Sequence, residues 1–276
     1  MSSIEYNPQF SEYADNMMTK NFAFLLTIFV ATTCFGQMTG KVGVERIDTS
    51  YNFQTDAGGG DPDRTSPTLR RYHMILWSKP LPNGKIFELS DSQYGAYLYH
   101  KSDLGEFFFG SDAITHSYKN QMRKQWLIQQ IPTEAEELSD AGSTMGAYII
   151  FPNNKIDGKF TINQARGINS LIDDRFDLTL ECIRRFYLGQ TSPLYDTLLR
   201  YKDFFDLFDN FTGYIHFFLL EDLVDDNQNI KFYLPFDDFQ TPPKFSGVDD
   251  YLLYKTRVMD FIRKRNQRIE NFQSES

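Results

Sequence analysis

The sequence predicts an α+β fold in which a β-rich N-terminal part and a helical C-terminal half pack as one domain. Short apolar runs closed by turn residues dominate the first half of the chain, and apolar residues at helical spacing dominate the second half. The chain has 276 residues, of which 41% are hydrophobic and 24% are charged. Because a chain of this size and composition can bury a sizeable core, we expect a globular protein rather than a disordered, fibrous or repeat protein.

Residues 1–45 are predicted to be an extension that precedes the α+β domain, which we place at residues 46–276. Within the extension, residues 17–37 (MMTKNFAFLLTIFVATTCFGQ) resemble a secretory signal, with Lys20 followed by an apolar run and then small residues. The run is too short to span a bilayer. A mostly polar stretch precedes it, so export would require Met17 or Met18 to be the true start. Two localisations therefore stay open, a cytoplasmic protein and an exported one.

The strands predicted for the first half are short and apolar. Residues 48–70 are rich in Gly, Asp, Ser, Thr and Pro, and are predicted to form a loop or linker. Residues 72–77 (YHMILW) are a compact apolar run, which predicts a strand that the Pro- and Gly-containing turn at 80–84 closes. Further strands are predicted at 85–89, 97–99, 107–109 and 145–151.

Helix-capping residues and helical spacing mark the second half. Thr161 and Gln164 form a capping box, which predicts a helix that begins at residue 162. Ser192 followed by Pro193 predicts another helix start, because proline is favoured at the first helical position. The remaining predictions are helices over 175–188, 193–209 and 249–271, a strand over 230–234, and a segment at 213–224 that fits either a helix or a buried strand.

The charge balance argues against a nucleic-acid partner. The 28 Lys and Arg residues against 37 Asp and Glu residues give a net charge of -9, whereas duplex binding needs a dense positive surface. The most basic stretch, Arg263-Lys264-Arg265, is predicted to be a solvated face of the last helix. Two cysteines and four scattered histidines show no zinc-ligand spacing, so we predict no metal site, and no cofactor can be assigned.

The segment 161–187 carries more charge than a buried helix tolerates unless the charges are paired. The helix predicted at 175–188 is apolar on two sides, yet Asp177, Glu181 and Arg184 or Arg185 form a stripe along it. Bringing such charges into the protein interior costs several kcal/mol each without a partner. This segment is therefore the predicted site.

Two interpretations of the charged segment stay open. In the first, the arginines bind a phosphorylated small molecule or nucleotide, and nearby carboxylates handle protons. In the second, the same charges form a structural ion network in a non-catalytic protein that binds another protein through the phenylalanines of 204–218. The two differ in whether the arginines converge on an open cavity or are all paired with carboxylates. The candidate anion-binding residues are Arg166, Arg175, Arg184, Arg185 and Lys79, and the candidate catalytic residues are Asp174, Asp177, Glu181 and His73.

Two other motifs contain residue types that occur in catalytic sites. His73, on the strand predicted at 72–77, could act as a general acid or base, although a lone histidine on a strand is more often a hydrogen-bonded structural residue. Gly110-Ser111-Asp112 matches the start of a nucleotidyltransferase motif, but residues 120–125 lack the Asp-x-Asp pair that this chemistry needs. Whether the protein is an enzyme stays open at this stage.

Several long blocks of the sequence resemble a bacterial family of domains of unknown function. They are RRYHMILWSKPLPNG at the start of the predicted β-rich part, TINQARGINSLIDDRFDLTLECIRRFY at 161–187 and FFLLEDLV at 217–224. The resemblance runs from about residue 48 to residue 269 and leaves out residues 1–45. It implies a single cytoplasmic domain and brings no activity with it.

Overall fold

The computed structural model describes residues 46–91 and 97–275. The predicted extension and its signal-like segment at 17–37 lie outside these residues. The described part of the chain falls within one compact unit, residues 45–276. Antiparallel strands lie in its N-terminal half and a long helix closes its C-terminus, which confirms the predicted α+β class.

Two helices lie where the sequence predicted a loop and a strand. They are α1 (Pro62–Thr65) and α2 (Pro67–Trp77), and each has a capping side chain, from Asp61 and Ser66, followed by proline. The predicted strand at 72–77 is therefore wrong. A six-residue apolar run fits a buried helix as well as a strand, and the buried positions of α2 follow helical spacing. These buried residues are Leu69, Tyr72, His73, Leu76 and Trp77.

A four-stranded antiparallel sheet forms the centre of the described region. A two-stranded hairpin precedes it, with a turn at Gly84, whose φ of 78° favours glycine. In the larger sheet neighbouring strands are also consecutive in sequence, and every residue of its last strand is buried. The strands are β1 (Lys79–Pro80), β2 (Ile86–Phe87), β3 (Ser90–Asp91), β4 (Leu98–Ser102), β5 (Gly105–Ala113) and β6 (Tyr148–Pro152).

The strands predicted after the first turn coincide with observed ones. Strand β2 lies within 85–89, β4 overlaps 97–99, and β5 contains 107–109. The run at 145–151 divides into a 3-10 turn and then β6. In the β5–β6 ladder Ser111 is opposite Ile150 and Asp112 is opposite Ile149. Because side chains alternate along a strand, Ser111 and Asp112 point to opposite faces of the sheet.

The remaining elements are helices that cover the sheet and end the chain. Thr161 caps the first of those that follow β6, and its capping box with Gln164 is formed as predicted. The helix predicted at 249–271 is also present and is longer than predicted. In chain order the helices are α3 (Gln125–Ile128), α4 (Pro132–Ala141), α5 (Ile162–Ile168), α6 (Phe176–Tyr187), α7 (Tyr195–Arg200), α8 (Lys202–Asp206), α9 (Phe211–Phe217) and α10 (Val248–Glu275).

Two predicted elements of the second half are wrong. The helix predicted over 193–209 is broken at Tyr201 into α7 and α8, and Leu194 rather than Ser192 precedes its first turn. The strand predicted over 230–234 is a single antiparallel bridge between Val224 and Ile230. The segment at 213–224 is helical as far as α9 extends and then forms a 3-10 turn.

The phenylalanines proposed as a protein-binding surface lie in the core. All six are less than 8% exposed, and four of them are fully buried. Five of the rings, all except that of Phe211, contact one another at centroid distances between 4.9 and 6.4 Å. Two of these five, Phe217 and Phe218, also contact Trp77, whereas Phe211 contacts Tyr187. They therefore hold α8 and α9 against the rest of the core. The six are Phe204, Phe205, Phe208, Phe211, Phe217 and Phe218.

The basic stretch of α10 is not a solvated face throughout, because Arg265 is 0% exposed. Its guanidinium donates to the main-chain oxygens of Phe218, Gly146 and Tyr148 at 2.8 to 3.2 Å. These acceptors belong to chain segments far from α10 in sequence. The prediction for Arg265 is thus wrong, since main-chain carbonyls supply the partners that make its burial tolerable.

Candidate functional site

Arg166 is the most deeply buried arginine of the predicted site. It lies on α5 with 0% exposure, and its Nη1 pairs with the carboxylate of Asp112 on β5. Its Nε donates to Thr179 Oγ1 at 3.0 Å, and its Nη2 donates to the main-chain oxygen of Asp174 at 3.2 Å. Arg166 therefore connects α5, the central sheet and the start of α6.

The turn before α6 places two consecutive aspartates in the left-handed region, with φ of 48° at Asp173 and 64° at Asp174. Few residues other than glycine adopt this conformation, although aspartate does so more often than most. Side-chain contacts hold both residues there. The Asp173 carboxylate lies 2.6 Å from Arg123 Nη2 and 3.0 Å from Lys124 Nζ, and Asp174 Oδ1 lies 3.7 Å from Arg166 Nη2. The turn is therefore built around charged groups.

Glu181 on α6 is satisfied by two arginines of the same helix. Its carboxylate is almost completely buried and accepts from Arg184 Nε at 2.8 Å and from Arg185 Nε at 2.7 Å. Arg185 also pairs with Asp238, and its guanidinium lies 5.0 Å from the ring centroid of Phe239. The charges of the predicted stripe therefore pair with one another along α6, and Arg185 also attaches α6 to the segment after Tyr233.

Arg175 immediately precedes α6, is only 2% exposed, and pairs with Asp177 through two of its nitrogens. The Asp177 carboxylate also accepts from the main-chain nitrogen of Tyr233 at 2.9 Å. Burial acts to lower the pKa of Arg175, but the charge and the hydrogen bond of Asp177, together with Tyr118 and Tyr254, outweigh burial and raise it. Its third nitrogen, Nη1, has no hydrogen-bond partner within residues 46–91 and 97–275. Arg175 thus keeps one donor edge free while its charge is retained.

Arg175 lines a cleft of about 290 Å³, which we call the Arg175 cleft. Lys244 lines the same cleft, is exposed, and has no ion pair in the described part of the chain. The two carboxylates of the cleft, Asp237 and Asp250, accept hydrogen bonds from Thr241 Oγ1 and from Ser246. The Asp237 carboxylate is bound within its own loop and that of Asp250 at the start of α10, whereas the Lys244 ammonium has no ion pair among the described residues.

A second cleft of about 330 Å³ shares Pro242 and Lys244 with the first, and we call it the Trp126 cleft. The side chain of Asp173, in the turn before α6, reaches it, together with a half-exposed indole. Its other lining residues are Arg123, Lys124, Trp126, Ser170, Asp173 and Phe245.

His73 lies in a buried chain of hydrogen bonds. Trp77 Nε1 donates to His73 Nδ1 at 2.9 Å, and His73 Nε2 lies 2.9 Å from Ser111 Oγ. Because the indole N–H can only donate, Nδ1 is the acceptor, and the ring proton lies on Nε2. Burial lowers the pKa of His73 to about 3, so the ring is neutral. Its protonated nitrogen faces Ser111, which leaves no lone pair to accept the serine proton.

The hydrogen-bond chain ends at a carboxylate. Ser111 Oγ donates to Asp63 Oδ1 at 2.7 Å, and burial raises the pKa of Asp63 to about 7, with repulsion from Asp61 adding to the shift. The hydrogen bonds run from the indole through the imidazole and the hydroxyl to the carboxylate. Together they fix α1 and α2 against β5. The catalytic role suggested for His73 stays a prediction, and its contacts here are those of a structural residue.

Lys79 lies apart from the predicted arginines. It is buried, and its Nζ lies 5.0, 4.8 and 4.6 Å from the ring centroids of Trp77, Phe217 and Phe272. Burial lowers the pKa of this ammonium to about 7. Its aromatic cage is supplied by α2, α9 and α10, whereas the predicted arginines lie on α5, immediately before α6 and on α6. The structure therefore does not bring Lys79 into one site with the arginines.

Sequence reasoning missed the residues that complete these arrangements. Asp112 lies 54 positions before its partner Arg166, and Lys244 is in a proline-rich loop that no periodicity singles out. Trp126 lies on a four-residue helix without a sequence motif. The one signal in the sequence for Asp112 is Gly110-Ser111-Asp112, a polar triplet inside an apolar strand. From the sequence alone, this triplet relates only to the nucleotidyltransferase motif.

In class, the chain is an α+β domain in which the buried arginines of the predicted site pair with carboxylates, and two adjoining clefts lie beside them. Residues 47–269 match the model of a family of unknown function, DUF6994, and the chain belongs to that family. This confirms the family resemblance, while a bacterial origin stays a prediction. Comparisons with curated proteins and with solved structures gave no significant match.

The described residues contain neither a candidate membrane span nor a candidate metal site. No helix among them is long and apolar enough to cross a membrane. Within the same residues, no group of three or more His, Cys, Asp or Glu side chains is placed to hold a metal ion.

Proposed function

We propose that this domain binds a small phosphorylated molecule in the Arg175 cleft, through Arg175 and Lys244. The free Nη1 edge of the buried Arg175 is the observation that carries the proposal. Asp177 fixes this guanidinium where the local dielectric is low, and there a hydrogen bond that it donates to an anion is stronger than the same bond would be in water. Lys244 adds a second positive charge that no described carboxylate pairs with.

The other predicted arginines support the cleft rather than contact the ligand in this proposal. Arg166 attaches α5 to β5, and Arg184 and Arg185 hold Glu181 on α6. These pairs favour the structural interpretation for three of the four arginines. The binding interpretation is kept for Arg175 alone. The alternative function in protein binding receives no support from the phenylalanines of 204–218, which are buried.

Calorimetric titration and thermal unfolding of the full chain test this proposal, with inorganic phosphate, pyrophosphate and ribose 5-phosphate as probes. A probe present at 100 times its Kd stabilises the folded state by about 2.7 kcal/mol, which is a rise in Tm of roughly 5–10 °C for a protein of this size. We expect at least one probe to bind. Lys244→Ala should weaken it tenfold or more, since Lys244 is exposed and its removal spares the core.

Lys155→Ala is the matched control, because Lys155 is also exposed and lies outside both clefts. Arg175→Lys is the second test variant, since it keeps the charge but removes the forked donor geometry. The proposal fails if no probe binds the folded wild-type protein. It also fails if Lys244→Ala binds the probes as tightly as Lys155→Ala does.

A further inference from the structure

The Trp126 cleft continues from the Arg175 cleft, since Pro242 and Lys244 line both. Each cleft is close to the lower end of the roughly 300–1,000 Å³ range of small-molecule sites. A ligand whose anionic group lies between Arg175 and Lys244 can therefore extend past Lys244 into the Trp126 cleft. The chemistry of that second cleft indicates what the rest of the ligand is.

An indole forms one wall of the Trp126 cleft. The chain has two tryptophans; Trp77 is 0% exposed, whereas Trp126 is 51% exposed. Trp126 lies on α3, where Leu127 and Ile128 point into the core. These neighbours anchor the short helix, so the indole is presented on a fixed support. Phe245 and Pro242 add apolar surface to the same cleft.

The charged residues of the cleft are mostly cations. Arg123, Lys124 and Lys244 line it, and Asp173 is the one carboxylate among its described lining residues. Asp173 is bound by Arg123 and Lys124 at 2.6 and 3.0 Å, so its charge is already neutralised. Lys124 is itself buried, with Nζ 5.0 Å from the ring centroid of Phe245. An apolar flat wall and an excess of positive charge therefore occur side by side.

We propose that the ligand is a nucleotide, whose base stacks on Trp126 and whose phosphate binds Arg175 and Lys244. This inference rests on the proposed function, because the phosphate position comes from the Arg175 cleft. A base has an apolar flat face that matches an exposed indole, and such stacking contributes about 1–3 kcal/mol per base. A phosphosugar without a ring system would leave the indole exposed to water.

Intrinsic fluorescence reports on this contact directly. Since Trp77 is buried and Trp126 is half-exposed, a stacked base quenches the emission of Trp126 and leaves that of Trp77 unchanged. The full chain is titrated with AMP and with ribose 5-phosphate, which carries the same phosphate and sugar without the base. Free N-acetyltryptophanamide corrects for light absorbed by AMP. We expect AMP to bind at least tenfold more tightly than ribose 5-phosphate and to quench emission.

Two variants separate stacking from general damage. Trp126→Ala should reduce the affinity for AMP to the level of ribose 5-phosphate and leave that of ribose 5-phosphate unchanged. Trp126→Phe keeps an aromatic face and should retain most of the preference for AMP. Equal affinities of the wild-type protein for the two probes, or an unchanged affinity of Trp126→Ala for AMP, would overturn the nucleotide assignment and leave the phosphate site standing. If neither probe binds, both proposals fail.

Discussion

The Lys79 ammonium lies among three aromatic rings, where water is largely excluded. Ring faces attract a cation, but they replace only part of the hydration that an ammonium loses on burial. The lowered pKa of Lys79, about 7 against an ordinary value of 10.5, expresses that deficit. At the residue scale, then, one charge is kept at a cost to stability that an apolar side chain of similar length would avoid.

Lys79→Met is expected to stabilise the protein at pH 7 by about 1–4 kcal/mol, since it removes a buried charge and keeps the volume. Between pH 7 and 10.5 the unfolded chain still binds a proton that the folded state has released, so wild-type stability rises with pH relative to the variant. The gain from the substitution should shrink accordingly towards pH 10. Urea unfolding of both proteins at several pH values measures this difference.

Lys155→Met controls for the loss of one positive charge from an exposed position. If the difference between wild type and Lys79→Met does not change over this pH range, the ammonium is not titrating within the cage. A lower stability of Lys79→Met at pH 7 would show that the three rings more than compensate for the lost hydration.

At the scale of elements, the approach of α10 to the chain before β6 depends on Gly146. A Cβ at this position would lie 2.6 Å from the main-chain oxygen of Ile262 and 2.7 Å from Asn266 Oδ1. The same asparagine accepts from the Gly146 main-chain nitrogen at 2.6 Å. Nearby, Arg265 donates to the Gly146 oxygen. The two segments are therefore in contact through main-chain atoms, with no room for a side chain.

Gly146→Ala is expected to destabilise the protein by about 1–3 kcal/mol, because α10 must shift away from β6 to admit the methyl group. Gly167→Ala is the matched control, since a Cβ there meets no atom within 4 Å. It lies within α5 and should stabilise the protein by about 0.5–1 kcal/mol. Thermal unfolding of the two variants gives the comparison. If the two substitutions change the stability equally, α10 moves to admit the methyl group without any loss of stability.

At the scale of the whole molecule, the pair of Arg166 and Asp112 joins the central sheet to the helices that follow it. The aspartate lies on β5, and the arginine on α5 also contacts α6 through Thr179. Both charges are buried, so if one side chain is removed, water cannot take its place as the partner of the remaining charge. The pair therefore makes the folding of the two halves mutually dependent.

Arg166→Met should destabilise the protein by about 3–5 kcal/mol, because it leaves the Asp112 charge buried without its partner. Adding Asp112→Asn to that variant removes the stranded charge and should restore part of the loss. A double-mutant cycle in urea, with m-values compared to detect a change in cooperativity, measures the coupling. Strictly additive costs would show that the two side chains do not act as a pair.

Local signals in the sequence predicted helix boundaries better than strand positions. Thr161 and Gln164 cap α5 as predicted, and α6 ends just before Gly189, whose φ is 66°. These signals act over a few residues, so the sequence contains the whole interaction. The apolar run at 72–77 carries no such information, because hydrophobicity alone suits a buried strand and a buried helix equally. The capping serine, Ser66, six residues before the run's first position, distinguishes the helix from a strand.

The candidate site could be predicted only in part, because only some of its contacts join residues that are close in sequence. Glu181 and the two arginines that bind it are three and four positions apart on one helix, so their pairing follows from helical geometry. Arg166 and Asp112 are 54 positions apart, and their contact depends on how β5 and α5 pack. No spacing rule connects Arg175 with Lys244, which meet only across a cleft.

The sequence by itself determined the α+β class, the family, the capped start of α5 and the segment rich in buried charge. Those features depend on composition, on periodicity and on contacts within a few residues. The tertiary structure alone decided that Asp112 pairs with Arg166 and that, among the described residues, Lys244 has no ion pair beside Trp126. Such choices depend on the distance between chain segments that are remote in sequence, because ion pairs and ring stacking need groups within a few ångströms of each other and are strengthened where the core excludes water.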